Sequence, residues 1–128
     1  MLFRSVWLRQ QGIRTGIASS NGIELVETVL KAQGIQEYLE SVHTCCEVPK
    51  EKPAPDIYLL VAETLGVKPE ECLVFEDVPM GILAGKNAGM RVCAVEDTFS
   101  ASQREEKKEL ADYYIESYDE IPRERMQP

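Results

Sequence analysis

Short apolar runs alternate with amphipathic segments along the 128-residue chain. This alternation is typical of a parallel β-sheet covered by helices, and it predicts an α/β fold. Four strands and a short fifth are predicted, at residues 15–18, 41–44, 72–75, 91–95 and 113–115. The third and fourth strands are almost continuously apolar, which indicates strands covered on both faces.

Two helices are predicted from their ends and apolar spacing. The first begins at Asn21, whose side chain is expected to cap the helix, and a glutamate follows three residues later, as in a capping box. This helix ends at Gly34. The second opens at Pro55 and ends at Gly66. Their apolar positions are Ile23, Val26 and Leu30 in the first, and Ile57, Leu60, Val61 and Leu65 in the second. Residues 100–109 are polar and charged, which predicts a solvated loop and helix.

A third predicted helix, after Asp77, contains a glycine at every fourth position: Gly81, Gly85 and Gly89. An interior glycine costs a helix about 1 kcal/mol relative to alanine. Close approach of the helix to the sheet or to a neighbouring loop would compensate for this cost, because glycine has no Cβ.

Composition and charge indicate a small soluble protein and disfavour some classes of partner. The chain is 44% hydrophobic and 28% charged, as expected for one small soluble domain, and its net charge of −8 disfavours nucleic acid and anionic membranes as partners. The apolar runs are too short to cross a bilayer, and no export signal is recognisable, so a cytoplasmic protein is expected. The four cysteines have no CxxC spacing and are expected to be reduced thiols rather than zinc ligands.

Three polar clusters stand at or near the ends of predicted strands, where open α/β sheets bind ligands. In the first, Ser19, Ser20 and Asn21, a hydroxyl and the free amides of a helix N-terminus could bind a phosphate. Serine and asparagine are also common helix caps. The second cluster contains Lys52, which Pro53 and Pro55 hold on a stiff segment where a cation could neutralise a phosphoryl group. A surface lysine in a proline-rich turn is the alternative.

The third cluster is the acidic pair Glu76 and Asp77, which offers the hard oxygen ligands that Mg²⁺ prefers. Asp77 could instead be a helix cap. The same dipeptide recurs at Glu96 and Asp97, so the pair alone is not diagnostic. Only the first pair is followed by the stretch rich in glycine and alanine at residues 79–90.

Residues 17–21, 51–56 and 74–77, with the stretch that follows the last segment, resemble motifs II, III and IV of the haloacid dehalogenase (HAD) superfamily. The resemblance covers about residues 5–121 and is strongest to the branch of β-phosphoglucomutases and related sugar-phosphate phosphatases. It implies a Rossmann-like parallel sheet with helices on both faces.

The resemblance also implies roles for the polar clusters. Ser19, with Ser20 and Asn21, would bind the phosphoryl group, and Lys52 would hold that group and the nucleophile in register. Glu76 and Asp77 would bind Mg²⁺. The intact enzyme would be a phosphatase or phosphomutase that acts on a small phosphorylated metabolite, expected to be a sugar phosphate, through an aspartyl-phosphate.

Two family features are absent from the sequence. Members begin with a strand that carries Asp-x-Asp, whose first aspartate is the nucleophile, whereas here no aspartate precedes Asp56. The cap domain of this branch is also missing. We therefore expect residues 1–128 to be a partial HAD-like core, truncated at its N-terminus, with residues 1–5 a non-native or unstructured start. The chain alone is expected to be inactive.

The missing strand would lie between the strand ending near Ser19 and the strand ending near Asp77. We expect this gap to stay open, and the chain to be unstable or to associate through its exposed strand edges. A non-catalytic α/β binding or interaction domain that retains the HAD fold is the alternative function. A response-receiver domain is disfavoured because the lysine precedes the acidic pair.

Overall fold

The computed structural model describes residues 8–120. Its strands are β1 (Gly16–Ser19), β2 (Ser41–Thr44), β3 (Leu73–Glu76), β4 (Arg91–Val95) and β5 (Tyr113–Ile115). Its helices are α1 (Ile23–Gln33), α2 (Asp56–Leu65), α3 (Pro79–Asn87) and α4 (Arg104–Leu110). All five predicted strands are confirmed, with the first and third shifted by one residue. The predicted start at residues 1–5 lies outside the described residues.

The strands form two parallel sheets, β1–β2 and β3–β4–β5. Gly16 is in register with Ser41 in the first sheet, and Leu73 with Arg91 in the second. Within residues 8–120 no ladder joins β1 to β3. The predicted gap between these two strands is therefore confirmed.

Helices cover both faces of the β1–β2 sheet. Ile17 and Val42 are in register and pack against the buried side chains of α1. Ala18, one residue on and therefore on the opposite face, packs against the cluster that contains the α2 side chains. In the second sheet α3 covers the face that carries Val74 and Val92.

One core cluster spans both sheets. It contains buried residues of α2, α3, β3 and β4, and Ala18 of β1 packs against it. Its members are Ile57, Tyr58, Ala62, Val74, Ile82, Ala84, Ala88, Met90, Val92 and Ala94. The interior of α2 and α3 thus holds the two sheets together across the gap.

The glycines of α3 sit where the helix approaches the second sheet, as their spacing predicts. A Cβ at Gly85 would come within 2.6 Å of a methyl carbon of Val92, and a Cβ at Gly81 would overlap the carboxyl group of Glu76. Gly89 ends the segment with φ +81°, a conformation that glycine adopts most readily.

Three local expectations are wrong. Helix α1 has Gly22 rather than Asn21 at its N-cap, with no capping side chain, and Ile23 is 44% exposed. Residues 100–109 are not uniformly solvated, because Ser100 and Lys107 are buried.

None of the described helices is long and apolar enough to span a bilayer.

Candidate active site

The site forms where the carboxyl ends of β1 and β3 approach each other across the gap. Lys52 Nζ donates to the backbone oxygen of Ala18 at 3.2 Å and to Oε1 of Glu76 at 2.6 Å. Ala18 directly precedes Ser19, and Glu76 directly precedes Asp77. One ammonium group therefore connects the first and third predicted clusters.

The segment that carries Lys52 is held at both ends. The amide of Ala54 donates to Glu51 O at 3.0 Å, and Asn87 Nδ2 donates to Pro53 O at 3.0 Å. The Lys52–Pro53 peptide bond is cis, and α2 begins two residues after Ala54. The Lys52 side chain is only 13% exposed, so it is not the mobile surface lysine that the alternative interpretation describes.

Glu76 is buried beside this lysine. Its side chain is 9% exposed, and it also accepts a hydrogen bond from the hydroxyl of Tyr58. Burial, together with the Glu76 carboxylate, raises the pKa of Tyr58 far above its usual value, so this hydroxyl is a donor at neutral pH. The Tyr58 ring also lies 5.0 Å from Lys52 Nζ, which is a cation–π distance.

The Ser19 to Asn21 segment leaves polar groups available at the end of β1. Ser19 Oγ accepts a hydrogen bond from the Asn21 amide at 3.0 Å, and the Ser20 carbonyl accepts one from Cys45 Sγ at 3.0 Å. Because no side chain caps α1 at Gly22, the amides of its first turn can donate to an anion.

Asp77 is exposed, but its backbone is anchored. Ser100 Oγ donates to Asp77 O at 2.7 Å and accepts from Lys107 Nζ at 2.9 Å. Lys107 has no exposed surface and also donates to Val95 O at 2.7 Å.

An open cavity of about 330 Å³ lies beside Asp77, lined by Phe75, Glu76, Asp77, Val95, Glu96, Asp97 and Tyr118.

The two acidic pairs differ in their surroundings. Glu96 accepts hydrogen bonds from Tyr114 Oη at 2.6 Å and from Arg104 Nε. These contacts lower the pKa of Glu96, the tyrosine hydroxyl having the larger effect. Glu96 thus has a permanent cation beside it, whereas Asp77 has an exposed carboxylate at the cavity.

The fit to Mg²⁺ is partial. Glu76 and Asp77 offer two carboxylates, but one Glu76 oxygen is held by Lys52 and Tyr58. Within residues 8–120 no three side chains of His, Cys, Asp or Glu are grouped to hold a metal ion. Since Mg²⁺ demands near-octahedral coordination, these residues supply only part of a ligand set.

A family model of the haloacid dehalogenase-like hydrolases matches residues 5–89, which is more than half of the chain. The chain belongs to this family. Fructose-1-phosphate phosphatase YqaB of Escherichia coli (strain K12) is 38% identical over 84 residues, 66% of this chain and 44% of that protein. The HAD assignment made from the motifs is therefore confirmed.

Solved HAD structures give the same result. CbbY from Rhodobacter sphaeroides, crystallised with xylulose-(1,5)bisphosphate, superposes with a TM-score of 0.83 at 29% identity, covering 91% of this chain and 52% of that one. β-Phosphoglucomutase from Clostridium difficile has the same fold, with a TM-score of 0.79 at 24% identity and coverage of 96% and 51%. The chain lies in the phosphatase and β-phosphoglucomutase-like branch, and it spans about half the length of these relatives.

Three contributors to this site have no signal in the sequence. Tyr58 lies in an apolar helix segment, where a core residue is expected. Ser100 lies in a polar stretch, and Lys107 lies among charged residues. A buried lysine flanked by Glu105, Glu106 and Glu109 could be recognised only after folding had placed it against Val95 O and Ser100.

Proposed function

We propose that this HAD chain supplies the phosphate-binding and metal-binding residues of a Mg²⁺-dependent phosphatase or phosphomutase. The substrate would be a small phosphorylated metabolite, with sugar phosphates as the class. The observation that carries the proposal is the position of Lys52, whose ammonium contacts both Ala18 O and Glu76. A buried cation between a hydroxyl-bearing strand end and an acidic strand end suits a dianionic phosphoryl group.

Ser19, Ser20, Asn21 and Lys52 would bind that phosphoryl group. The Ser19 hydroxyl accepts from Asn21, so its own proton can be donated to a phosphoryl oxygen. The first-turn amides of α1 would donate to the remaining oxygens. Lys52 would neutralise charge on the phosphoryl group without having to move far, because its peptide segment and its ammonium are already held.

Glu76 and Asp77 would hold Mg²⁺, which supplies positive charge beside the phosphoryl oxygens when bound. Asp77 is the better placed of the two carboxylates because it is exposed at the cavity. Glu76, tied to Lys52 and Tyr58, would act mainly by fixing the lysine. With two carboxylates only, we expect Mg²⁺ to bind this chain weakly.

A carboxylate nucleophile would have to come from outside the matched motifs. In the proposed reaction a bond forms between a carboxylate oxygen and phosphorus while the ester oxygen–phosphorus bond breaks, and the leaving alcohol takes a proton. Water then hydrolyses the acyl phosphate. The first aspartate of this chain, Asp56, begins α2 and does not occupy the family position of the nucleophile. We therefore propose that the 128-residue chain alone is inactive.

The named activities of the relatives support the substrate class. YqaB is a fructose-1-phosphate phosphatase, and CbbY was crystallised with a sugar bisphosphate. Fructose-1-phosphate and xylulose-(1,5)bisphosphate are both phosphorylated sugars.

The test is a phosphatase assay with p-nitrophenyl phosphate and Mg²⁺. The 128-residue chain is assayed alone and after mixing with the segment of CbbY that has no counterpart in this chain. We expect no turnover alone and turnover in the mixture, lost in Lys52→Ala and retained in the neighbouring control Lys50→Ala. Hydrolysis by the chain alone that Asp77→Asn abolishes would contradict the assignment of the nucleophile.

Binding measurements separate this proposal from a non-catalytic interaction domain. Titration with inorganic phosphate should shift the amide resonances of Ser19, Ser20 and Asn21, and Lys52→Ala should remove the shifts. If phosphate and Mg²⁺ leave the spectrum unchanged, the retained fold serves an interaction rather than catalysis.

A further inference from the structure

Lys107 of α4 is a charged residue in an unusual environment. Within residues 8–120 it is the one charged residue with no exposed surface. Its ammonium donates to the backbone oxygen of Val95 at 2.7 Å and to Oγ of Ser100 at 2.9 Å, and neither acceptor carries a charge. Because a buried ammonium without a carboxylate partner costs free energy, packing alone does not explain a lysine at this position.

The hydrogen bonds of Ser100 run in one direction. An ammonium group can only donate, so Ser100 Oγ accepts from Lys107 and donates its own proton elsewhere. Asp77 O lies at 2.7 Å from this hydroxyl, whereas Asp97 O lies at 3.5 Å. Ser100 is only 2% exposed, so water does not compete for the proton. Lys107 therefore directs the serine hydroxyl towards Asp77.

The backbone of Asp77 lies between two regular elements. Strand β3 ends one residue before it, and α3 begins two residues after it. Among the hydrogen bonds of residues 8–120, the one from Ser100 is the only one that holds the Asp77 carbonyl. This carbonyl and the Val78 amide belong to one planar peptide group. The serine hydroxyl thus fixes the orientation of the peptide that follows the aspartate.

The same ammonium also holds the end of β4. Val95 ends that strand and lines the cavity together with Asp77. Lys107 is bonded directly to the carbonyl of Val95 and, through Ser100, to the carbonyl of Asp77. One buried group therefore ties together two strand ends that line the cavity.

We propose that Lys107, acting through Ser100, is a positioning residue for the Asp77 carboxylate. It holds the Asp77 peptide so that this carboxylate stays at the cavity, in place to bind Mg²⁺. The inference rests on the function proposed above, in which Asp77 binds Mg²⁺. Lys107 itself would touch neither the metal nor the substrate, because it is fully buried. Removal of groups that orient a metal ligand typically costs about 10- to 100-fold in metal affinity.

The first measurement needs no metal. Backbone ¹⁵N relaxation of the labelled 128-residue chain gives the order parameter of the Val78 amide, which moves with the Asp77 carbonyl. We expect a value of about 0.85 in the parent, as for rigid backbone, and a fall towards the range of flexible segments in Ser100→Ala. Ser100→Thr keeps the hydroxyl and should restore the parent value. Lys108→Met, which removes the exposed neighbouring lysine of α4, is the control and should change nothing.

The second measurement is a Mg²⁺ titration at constant ionic strength, followed at the amide of residue 77. Asp77→Asn identifies the part of the signal that depends on the carboxylate. Ser100→Ala and Lys107→Met should each raise the Kd for Mg²⁺ by about tenfold, and Ser100→Thr should recover the parent Kd. Because the two residues act in series, the double variant should bind no more weakly than the weaker single variant.

Urea unfolding shows which variants are folded under the titration conditions. If Lys107→Met does not fold, Ser100→Ala and Ser100→Thr decide the result, since they leave the lysine in place.

The outcomes separate this inference from the proposed function. A parent chain that gives no Mg²⁺ response, or the same response as Asp77→Asn, would overturn the metal site and the positioning role together. Parent binding that Asp77→Asn removes and Ser100→Ala leaves unchanged would overturn the positioning role alone. A Val78 amide that stays rigid in Ser100→Ala, or losses that add in the double variant, would also overturn it.

Discussion

Two ion pairs in this protein have the same nitrogen–oxygen distance and different burial. The Lys52–Glu76 pair is 2.6 Å long with side chains 13% and 9% exposed, and the Lys86–Asp112 pair is also 2.6 Å long with side chains 37% and 31% exposed. Removing one partner of a buried pair costs about 3–5 kcal/mol, because the remaining charge is left desolvated. Exposed pairs contribute about 0–1 kcal/mol. Burial, rather than distance, should therefore decide their energies.

We expect Lys52→Met to lower the free energy of unfolding by about 3 kcal/mol, the lower part of that range, because Glu76 keeps the Tyr58 hydroxyl as a partner. Adding Glu76→Gln should recover part of this loss, with a coupling free energy of about 2 kcal/mol or more. The cycle of Lys86→Met with Asp112→Asn should give a coupling below about 1 kcal/mol.

The assay is urea unfolding followed by circular dichroism, with the slope of the transition compared among variants so that changes in the unfolded state are recognised. Lys50→Met, an exposed neighbour on the same segment, serves as the control and should change stability by less than about 0.5 kcal/mol. Equal coupling in the two cycles, or a Lys52→Met variant as stable as the parent, would refute the argument from burial.

Three further predictions concern packing, pH and thiol reactivity. Gly85→Ala should destabilise the protein by about 1–2 kcal/mol despite better helix propensity, since the new Cβ would lie 2.6 Å from a buried β4 methyl group; urea unfolding checks this. The depressed pKa of Glu96 means that its contribution to stability is present above its unfolded pKa and is lost as pH falls through the lower folded pKa; Glu96→Gln should therefore flatten the acid limb of a stability–pH curve, and an unchanged limb would contradict this. Burial raises the pKa of Cys93 to about 11, so native protein should react with a maleimide at Cys46 and spare Cys93, as peptide mapping would show.

Most of the secondary structure was predictable from local sequence. Parallel strands buried in a core have apolar runs, and the helices α1 and α2 end at Gly34 and Gly66, whose φ values of 66° and 71° favour glycine. The start of α1 was mispredicted because asparagine is common at helix N-caps but does not fix the position of the cap. Here the chain turns into the helix one residue later, at Gly22.

The candidate site was predictable only in part. Motif spacing indicated Ser19, Lys52 and the Glu76–Asp77 pair. It could not reveal that Tyr58 donates to Glu76, since a tyrosine on the apolar side of a helix fits the core equally well. Their contact depends on the shared core that brings residues of α2 and β3 together, which no local pattern encodes.

The fold class and the family were predictable from the sequence, because periodicity, capping and motif spacing are properties of neighbours along the chain. The resemblance of its motifs also named the candidate residues for binding phosphate and metal. Folding sets the burial of Lys107 and brings Lys52 into contact with both Ala18 and Glu76. Burial and hydrogen-bond pairing depend on segments distant in sequence and adjacent in space. The free energy of a charge or an unpaired amide is therefore set by neighbours that only folding brings together.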